Sequence, residues 1–262
     1  MQNQDLLNQH LLNLKKKVEE AKSVGESVIC SLMLDEMSIK KEVSFDGKRF
    51  KGHVDLGNGV EDDSLPYAKE ALVFMVVCVN SSWKVPCAYF FIDGLGGTER
   101  ANLIKLCIQR LSDIGIRVIS VTCDGPSTHF KMFKELGVSL EPQNINPSLP
   151  HPNCANTDKV YTLLDICHML KLVRNTLAQY GTLLDHENKE ISWSYIVALQ
   201  TLQDREGLKL ANKLKLSHIQ WWQQKMKVDL AAQVFSCSVA DALEFLNLIM
   251  KKPQFEGCEA TV

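Results

Sequence analysis

The chain has 262 residues, of which 45% are hydrophobic and 23% charged, and its net charge is -2. That balance excludes a largely disordered chain, and the length fits one large domain or one and a half ordinary ones. The near-neutral charge gives no general basic field, so any contact with nucleic acid must rest on local patches.

Residues 4 to 22 carry Leu7, Leu11, Leu14 and Val18 at helical spacing, which predicts an amphipathic helix that packs against the rest of the chain or pairs with a partner. The apolar run 28 to 39 reads as a strand with Asp35 and Glu36 towards its far end. Residues 43 to 56 contain short strand-like pieces around the turn signal Asp46-Gly47, followed by a polar, acidic loop from 57 to 66. Two strands are predicted next, ALVFMVVCV (71 to 79) and VPCAYFFI (85 to 92), joined by a turn at Ser81-Ser82-Trp83-Lys84. Thr98 is a candidate cap for a helix over 99 to 112, which sets Leu103, Ile104, Cys107, Ile108 and Leu111 on one face. Gly115 ends that helix, and IRVISVTC then runs as a strand straight into Asp124. A short helix from Thr128 to Leu136, a Pro- and Asn-rich connection over 141 to 158 and a strand VYTLLD (160 to 165) follow. ICHMLKLVRNTLAQYG (166 to 181) is expected to be a helix with Ile166, Met169, Leu170, Val173 and Leu177 inward. Beyond Gly181 every segment reads as helical, EGLKLANKLKL and HIQWWQQKMKV included, and no strand is expected past about residue 185. The change from mixed to all-helical character makes residues 181 and 182 the candidate boundary.

Nine cysteines occur without any C-x-x-C pair, several of them inside apolar runs, which suits buried reduced thiols in an intracellular protein. The N-terminus lacks the apolar segment of a secretory signal, and no apolar run approaches the ~20 residues of a membrane span. A soluble, non-secreted protein without a membrane partner is expected.

Asp35 and Asp124 each end an apolar run. If those runs are neighbouring strands, the two carboxylates stand side by side and suit a hard divalent cation, Mg²⁺ or Mn²⁺, of the kind used in phosphodiester chemistry. The competing reading is a polar strand end at Asp35 and a helix cap at Asp124. Asp165 is a third acid at a strand end and a further candidate metal ligand. His168, Lys171 and Asn175, with Arg174 beside them, make a polar row that either faces solvent or points at a phosphate. The dipeptide Trp221-Trp222 fits helix packing better than base stacking. No P-loop, zinc finger or guanine-reading N-K-x-D motif is present.

Four blocks, SLMLDEMSIK, the strand pair around VVCVN and AYFFIDGL, VISVTCDGPSTHFKMFKELGV and LLDICHMLKLVRNTL, together resemble the P-element transposase family and its vertebrate THAP-domain homologues, in the family's order over residues 28 to 262. The resemblance implies an α/β, RNase H-like mixed sheet with flanking helices over 28 to 181, after an N-terminal helix and linker over 1 to 27. An all-helical GTP-binding insertion domain is implied over 182 to 262. It further implies a carboxylate triad with Asp35 and Asp124 as catalytic metal ligands, Mg²⁺ or Mn²⁺ and GTP as cofactors, transposon-end DNA as partner, a homo-oligomer and a nuclear location. The family's zinc-coordinating THAP finger has no counterpart here. The third acid is expected to be missing, since Ala240 to Leu246 echoes the family's last acidic block but stands where the insertion belongs. A DDE/D-type transposase core that is incomplete or domesticated, and inactive alone, is therefore expected. The alternative is a non-enzymatic DNA- or protein-binding regulator derived from a transposase.

Overall fold

A computed structural model of the chain describes residues 2–45, 47, 50–57, 65–125, 127–141, 143–152, 158–207 and 209–262. Asp46 of the predicted turn, most of the acidic loop and Pro126 lie outside the described residues. The chain divides into two compact units, Met1–Asp165 and Ile166–Val262.

The first unit begins with α1 (Gln2–Ser23), followed by β1 (Val28–Ser38), the small hairpin β2 (Ser44–Phe45) and β3 (Phe50–Lys51), then β4 (Glu70–Cys78) and β5 (Lys84–Ile92). Next come α2 (Gly97–Asp113), β6 (Ile116–Cys123), α3 (Ser127–Glu135), β7 (Ser148–Pro150) and β8 (Lys159–Leu164). Six strands form one mixed sheet in the order β5-β4-β1-β6-β8-β7. The central strand β1 pairs antiparallel with β4 and parallel with β6, and β6 pairs parallel with β8. Alternation along β1 turns Leu32 and Leu34 to a core shared with Phe74, Ile104, Ile108, Leu14 and Val18. The core therefore lies between the sheet and its helices. The opposite face is left open: Met33, Tyr161 and Leu163 are 40, 50 and 51% exposed. Both edge strands carry a proline, Pro86 in β5 and Pro150 in β7.

Two expectations change here. Thr98 does not cap α2, because the helix already starts at Gly97, with Gly96 as its N-cap and no side-chain cap bond. Contact with α3 sets this start: a Cβ on Gly97 would sit 2.8 Å from both the Met132 backbone nitrogen and Lys131 Cβ, so only glycine allows the two helices to approach this closely. The Pro-rich connection also contains β7, whose register with β8 is Ser148↔Tyr161 and Leu149↔Val160.

The second unit comprises α4 (Ile166–Tyr180), a hairpin of β9 (Thr182–Leu184) and β10 (Glu190–Ser192), α5 (Trp193–Glu206), α6 (Leu216–Ile219), α7 (Val228–Val234) and α8 (Cys237–Glu244). Its core gathers Leu177, Trp193, Leu199, Val234, Leu243 and Phe255. The division falls at residue 166, ahead of the expected 182, because α4 belongs with this core through Leu177. The expectation of purely helical structure beyond 185 is corrected by β10. Asp185 Oδ1 accepts from the backbone N–H of Glu187 and Lys189, and Asn188 takes a φ of 63°, so a side-chain-stabilised turn closes the hairpin.

Of the expected helix EGLKLANKLKL, the described residues 209 to 215 between α5 and α6 are not helical. Gly207 ends α5 in the left-handed region with φ 69°, and Gln203 Oε1 then accepts from the Ala211 N–H, holding the chain in a turn. The inward face of α4 also differs from the expected one. Ile166 is 78% exposed and Val173 47%, whereas Arg174 and Leu177 are buried. One residue is about 100° of helix rotation, and Arg174 is drawn inward by bonds to the turn beneath it.

Among the described residues, one run, Val228–Ile249, is long and apolar enough to cross a membrane. The fold breaks it between α7 and α8 and buries Ala231, Val234, Val239, Leu243 and Leu246.

Among the described residues Cys30, Cys78, Cys87, Cys107, Cys123, Cys237 and Cys258 are free thiols. Burial pushes the Cys123 thiol up to about 12, with the Asp124 charge adding to the effect, and burial also raises Cys30. Only a thiolate attacks an alkylating agent. Iodoacetamide at neutral pH is therefore expected to label the exposed Cys237 and to spare Cys30 and Cys123, as read by mass spectrometry of the native protein. Rapid labelling of Cys123 would show that β6 is not packed as described.

Candidate functional site: an acidic cleft at the sheet edge

β1 and β6 run parallel with Leu32 beside Val121 and Met33 beside Thr122. Extended by two residues, that register would set Asp35 of β1 beside Asp124, the residue that follows β6. Adjacent strands lie about 4.8 Å apart. Both acids line one cleft, together with Glu36, Arg100 and His129. Asp35 Oδ1 accepts from the Glu36 backbone N–H at 2.8 Å.

The same register logic locates Asp165. Cys123 pairs with Leu164, and the Asp165 N–H donates to the Cys123 carbonyl at 2.7 Å. Asp124 and Asp165 thus each follow the last residue of a strand, β6 and β8, whereas Asp35 lies inside β1, which runs on to Ser38 against β4 and so corrects the expected strand end. The cleft is lined by Asp35 and Asp124 but not by Asp165. Among the described residues no group of three or more His, Cys, Asp or Glu side chains is arranged to hold a metal ion.

The cleft has a wall that sequence reasoning missed. Arg100 on α2 and His129 on α3 are each 5% exposed. Arg100 forms an ion pair with Glu36, and its Nη1 lies 3.4 Å from His129 Nε2. A guanidinium only donates, so Nε2 must accept, which places the proton on Nδ1. His129 Nδ1–H then donates to the Asp124 carbonyl at 2.7 Å, with Asp124 Oδ1 3.3 Å away. The result is a chain from Glu36 through Arg100 and His129 to Asp124. Burial lowers the Arg100 pKa, and the negative charge of Asp124 acts in the opposite sense. The available signal was the periodicity: Arg100 stands four residues before Ile104 and eight before Ile108, on the buried face of α2.

His168, Lys171, Arg174 and Asn175 all lie on α4, in the second unit. His168 and Lys171 are half-buried. Arg174 is fully buried: Nε donates to Asn175 Oδ1 at 2.8 Å and Nη2 to the Gln224 carbonyl at 2.9 Å. Asn175 Nδ2 donates to the Lys225 carbonyl at 3.3 Å. Arg174 and Asn175 thus anchor a turn within their own unit, and burial lowers the Arg174 pKa.

The model of the TNP-like RNase H N-terminal domain family matches residues 3–137, and that of the TNP-like GTP-binding insertion domain matches residues 167–262. The chain belongs to the P-element (TNP-like) transposase family. Its relatives include the DNA transposase THAP9 of Homo sapiens, 31% identical over 252 residues, 95% of this chain and 27% of the relative. The Transposable element P transposase of Drosophila melanogaster is 24% identical over 216 residues, 82% of this chain and 26% of that protein. This chain therefore spans about a quarter of the length of these P-element-type relatives. The solved Drosophila P element transposase strand transfer complex shares the fold, with a TM-score of 0.67 and 22% identity over 82% of this chain and 44% of that one. The first unit is an RNase H-like mixed sheet with flanking helices. The second is the helical insertion-type domain, carrying one short hairpin.

Proposed function

We propose that this chain is the RNase H-like core of a P-element-type transposase that engages DNA in the nucleus, binds one Mg²⁺ or Mn²⁺ ion weakly at Asp35 and Asp124, and does not cut or join strands alone. The observation that carries the reading is that Asp35, on β1, and Asp124, just after the neighbouring parallel strand β6, both line one cleft. Two carboxylates suit a single hard cation. They do not suit the pair of ions, about 4 Å apart, used in two-metal phosphoryl transfer, because the repulsion between two divalent charges needs further carboxylates to offset it. Glu36 supplies none, since its charge is already matched by Arg100. A bound ion would polarise a phosphodiester oxygen. The chain's own residues hold the ligands in place: His129 fixes the backbone at Asp124, and Arg100 fixes the His129 tautomer. The match to a GTP-binding insertion domain supports binding of a guanine nucleotide by the second unit. The lack of a three-acid cluster among the described residues favours a second reading, a DNA-binding regulator that keeps a transposase scaffold.

Mn²⁺ binding followed by electron paramagnetic resonance is expected to show one weak site, lost in Asp124→Ala and in Asp35→Ala. A nicking assay on supercoiled DNA with Mg²⁺ or Mn²⁺ is expected to show no cleavage. Robust cleavage that disappears in either variant would refute the non-cleaving reading and make Asp165 the first residue to test as a further ligand.

A further inference from the structure

We infer that the turn over Trp221–Lys227 in the second unit is a binding surface for single-stranded nucleic acid, separate from the acidic cleft. Residues 207 to 228 contain five lysines and no aspartate or glutamate, in a chain whose net charge is -2. Lys209, Lys213, Lys215, Lys225 and Lys227 are all exposed. Among the described residues none of them is in an ion pair. A run of like charges, bounded by Glu206 and Asp229 but holding no acid of its own, is stabilised by a polyanion.

The same turn presents flat apolar groups to water. Trp222 is 55% exposed and Met226 75%, so Trp222 does not serve the helix packing that its sequence context suggested. Trp221 meets Trp222 edge to face at 6.4 Å, and Lys225 Nζ lies 5.3 Å above the Trp221 ring. An exposed indole, Trp222, in a turn that also carries the exposed Lys225 and Lys227 matches a nucleobase attached to phosphates: the base stacks on the ring and the lysines meet the backbone. The turn is also held rigid. Trp221–Gln223 forms a 3-10 turn, the Lys227 N–H donates to the Gln224 carbonyl at 3.0 Å, and Arg174 clamps that same carbonyl from inside. A buried arginine spent on two consecutive carbonyls fixes where the indole stands before any ligand arrives. The ligand is a single strand rather than a duplex, because a duplex keeps its base faces stacked on one another and offers none to Trp222.

The test is fluorescence anisotropy of the full chain with labelled oligothymidylate, oligouridylate and a duplex of equal length. No divalent ion is added, so failure of the acidic-cleft reading leaves the result untouched. Binding of single strands is expected, with Trp222→Ala weakening it about tenfold or more and Trp222→Phe retaining most of it. Lys225→Gln with Lys227→Gln should lower the slope of log affinity against log salt by about 1.4, roughly 0.7 for each lysine. The duplex should bind more weakly and be indifferent to Trp222→Ala. Oligouridylate binding as well as oligothymidylate supports a surface that reads base and phosphate without reading the sugar. Affinity unchanged in Trp222→Ala, or a preference for duplex, overturns the proposal. Displacement of the oligonucleotide by GTP, with Trp222→Ala weakening GTP equally, also overturns it, because the turn would then belong to a mononucleotide pocket.

Discussion

Replacing Arg100 with methionine is expected to destabilise the first unit by about 3 kcal/mol, although methionine fills a similar space and suits the apolar neighbours of α2. The loss arises at Glu36. Its carboxylate shares the cleft wall with Leu72, Phe74 and Ile104 and has Arg100 as its counter-charge. Removing one member of a buried ion pair leaves the other charge uncompensated, which costs more than the pair itself contributes. Glu36 retains 26% exposure, which keeps the figure at the low end of that range. The double variant Arg100→Met with Glu36→Met should regain most of the loss, giving a coupling of about 2 kcal/mol in urea denaturation. If the two single effects simply add, the ion pair is not coupled and the His129–Asp124 connection has no anchor on α2.

Gly97→Val is expected to cost about 3 kcal/mol, and Gly97→Ala somewhat less. Two effects compete at this position. Alanine favours a helix over glycine by about 1 kcal/mol. Against that, the new Cβ would lie 2.8 Å from the Met132 backbone nitrogen, and backbone cannot swing aside as a side chain can. Overlap therefore wins, and α2 must move away from α3. Since Arg100 is on α2 and His129 on α3, the same variant should loosen their 3.4 Å contact and shift the His129 ring resonances in nitrogen NMR. A Gly97→Ala protein as stable as the parent would mean that the close approach of the two helices is not needed.

The parts of the fold that were legible in the sequence are those where one residue type repeats at one period over a long segment. β1, β4, β5, β6 and β8 are apolar runs of six or more residues, and the apolar face of α2 recurs through Ile104, Ile108 and Leu111. Short elements were hidden because three residues carry no period: β7 and β10 exist through pairing with β8 and β9. The face of α4 was misread because a buried arginine overrides an apolar stripe once its donors find carbonyls at Gln224 and Lys225. At the cleft, Asp35 and Asp124 stood out because each follows an apolar run, although β1 continues past Asp35 to Ser38. Glu36, Arg100 and His129 could not, because their partnership depends on the approach of β1, α2 and α3, which are far apart in sequence.

Pro86 and Pro150 have a consequence for how copies of this protein meet. The sheet has two outer margins, β5 and β7, and each is where an incoming chain would add a strand. A proline offers no backbone N–H and sets a rigid ring in the growth path, and in β5 it sits beside a break in register at Phe74/Met75. Fibril-like growth by strand addition is therefore obstructed at both margins, even though the open face displays Met33, Tyr161 and Leu163.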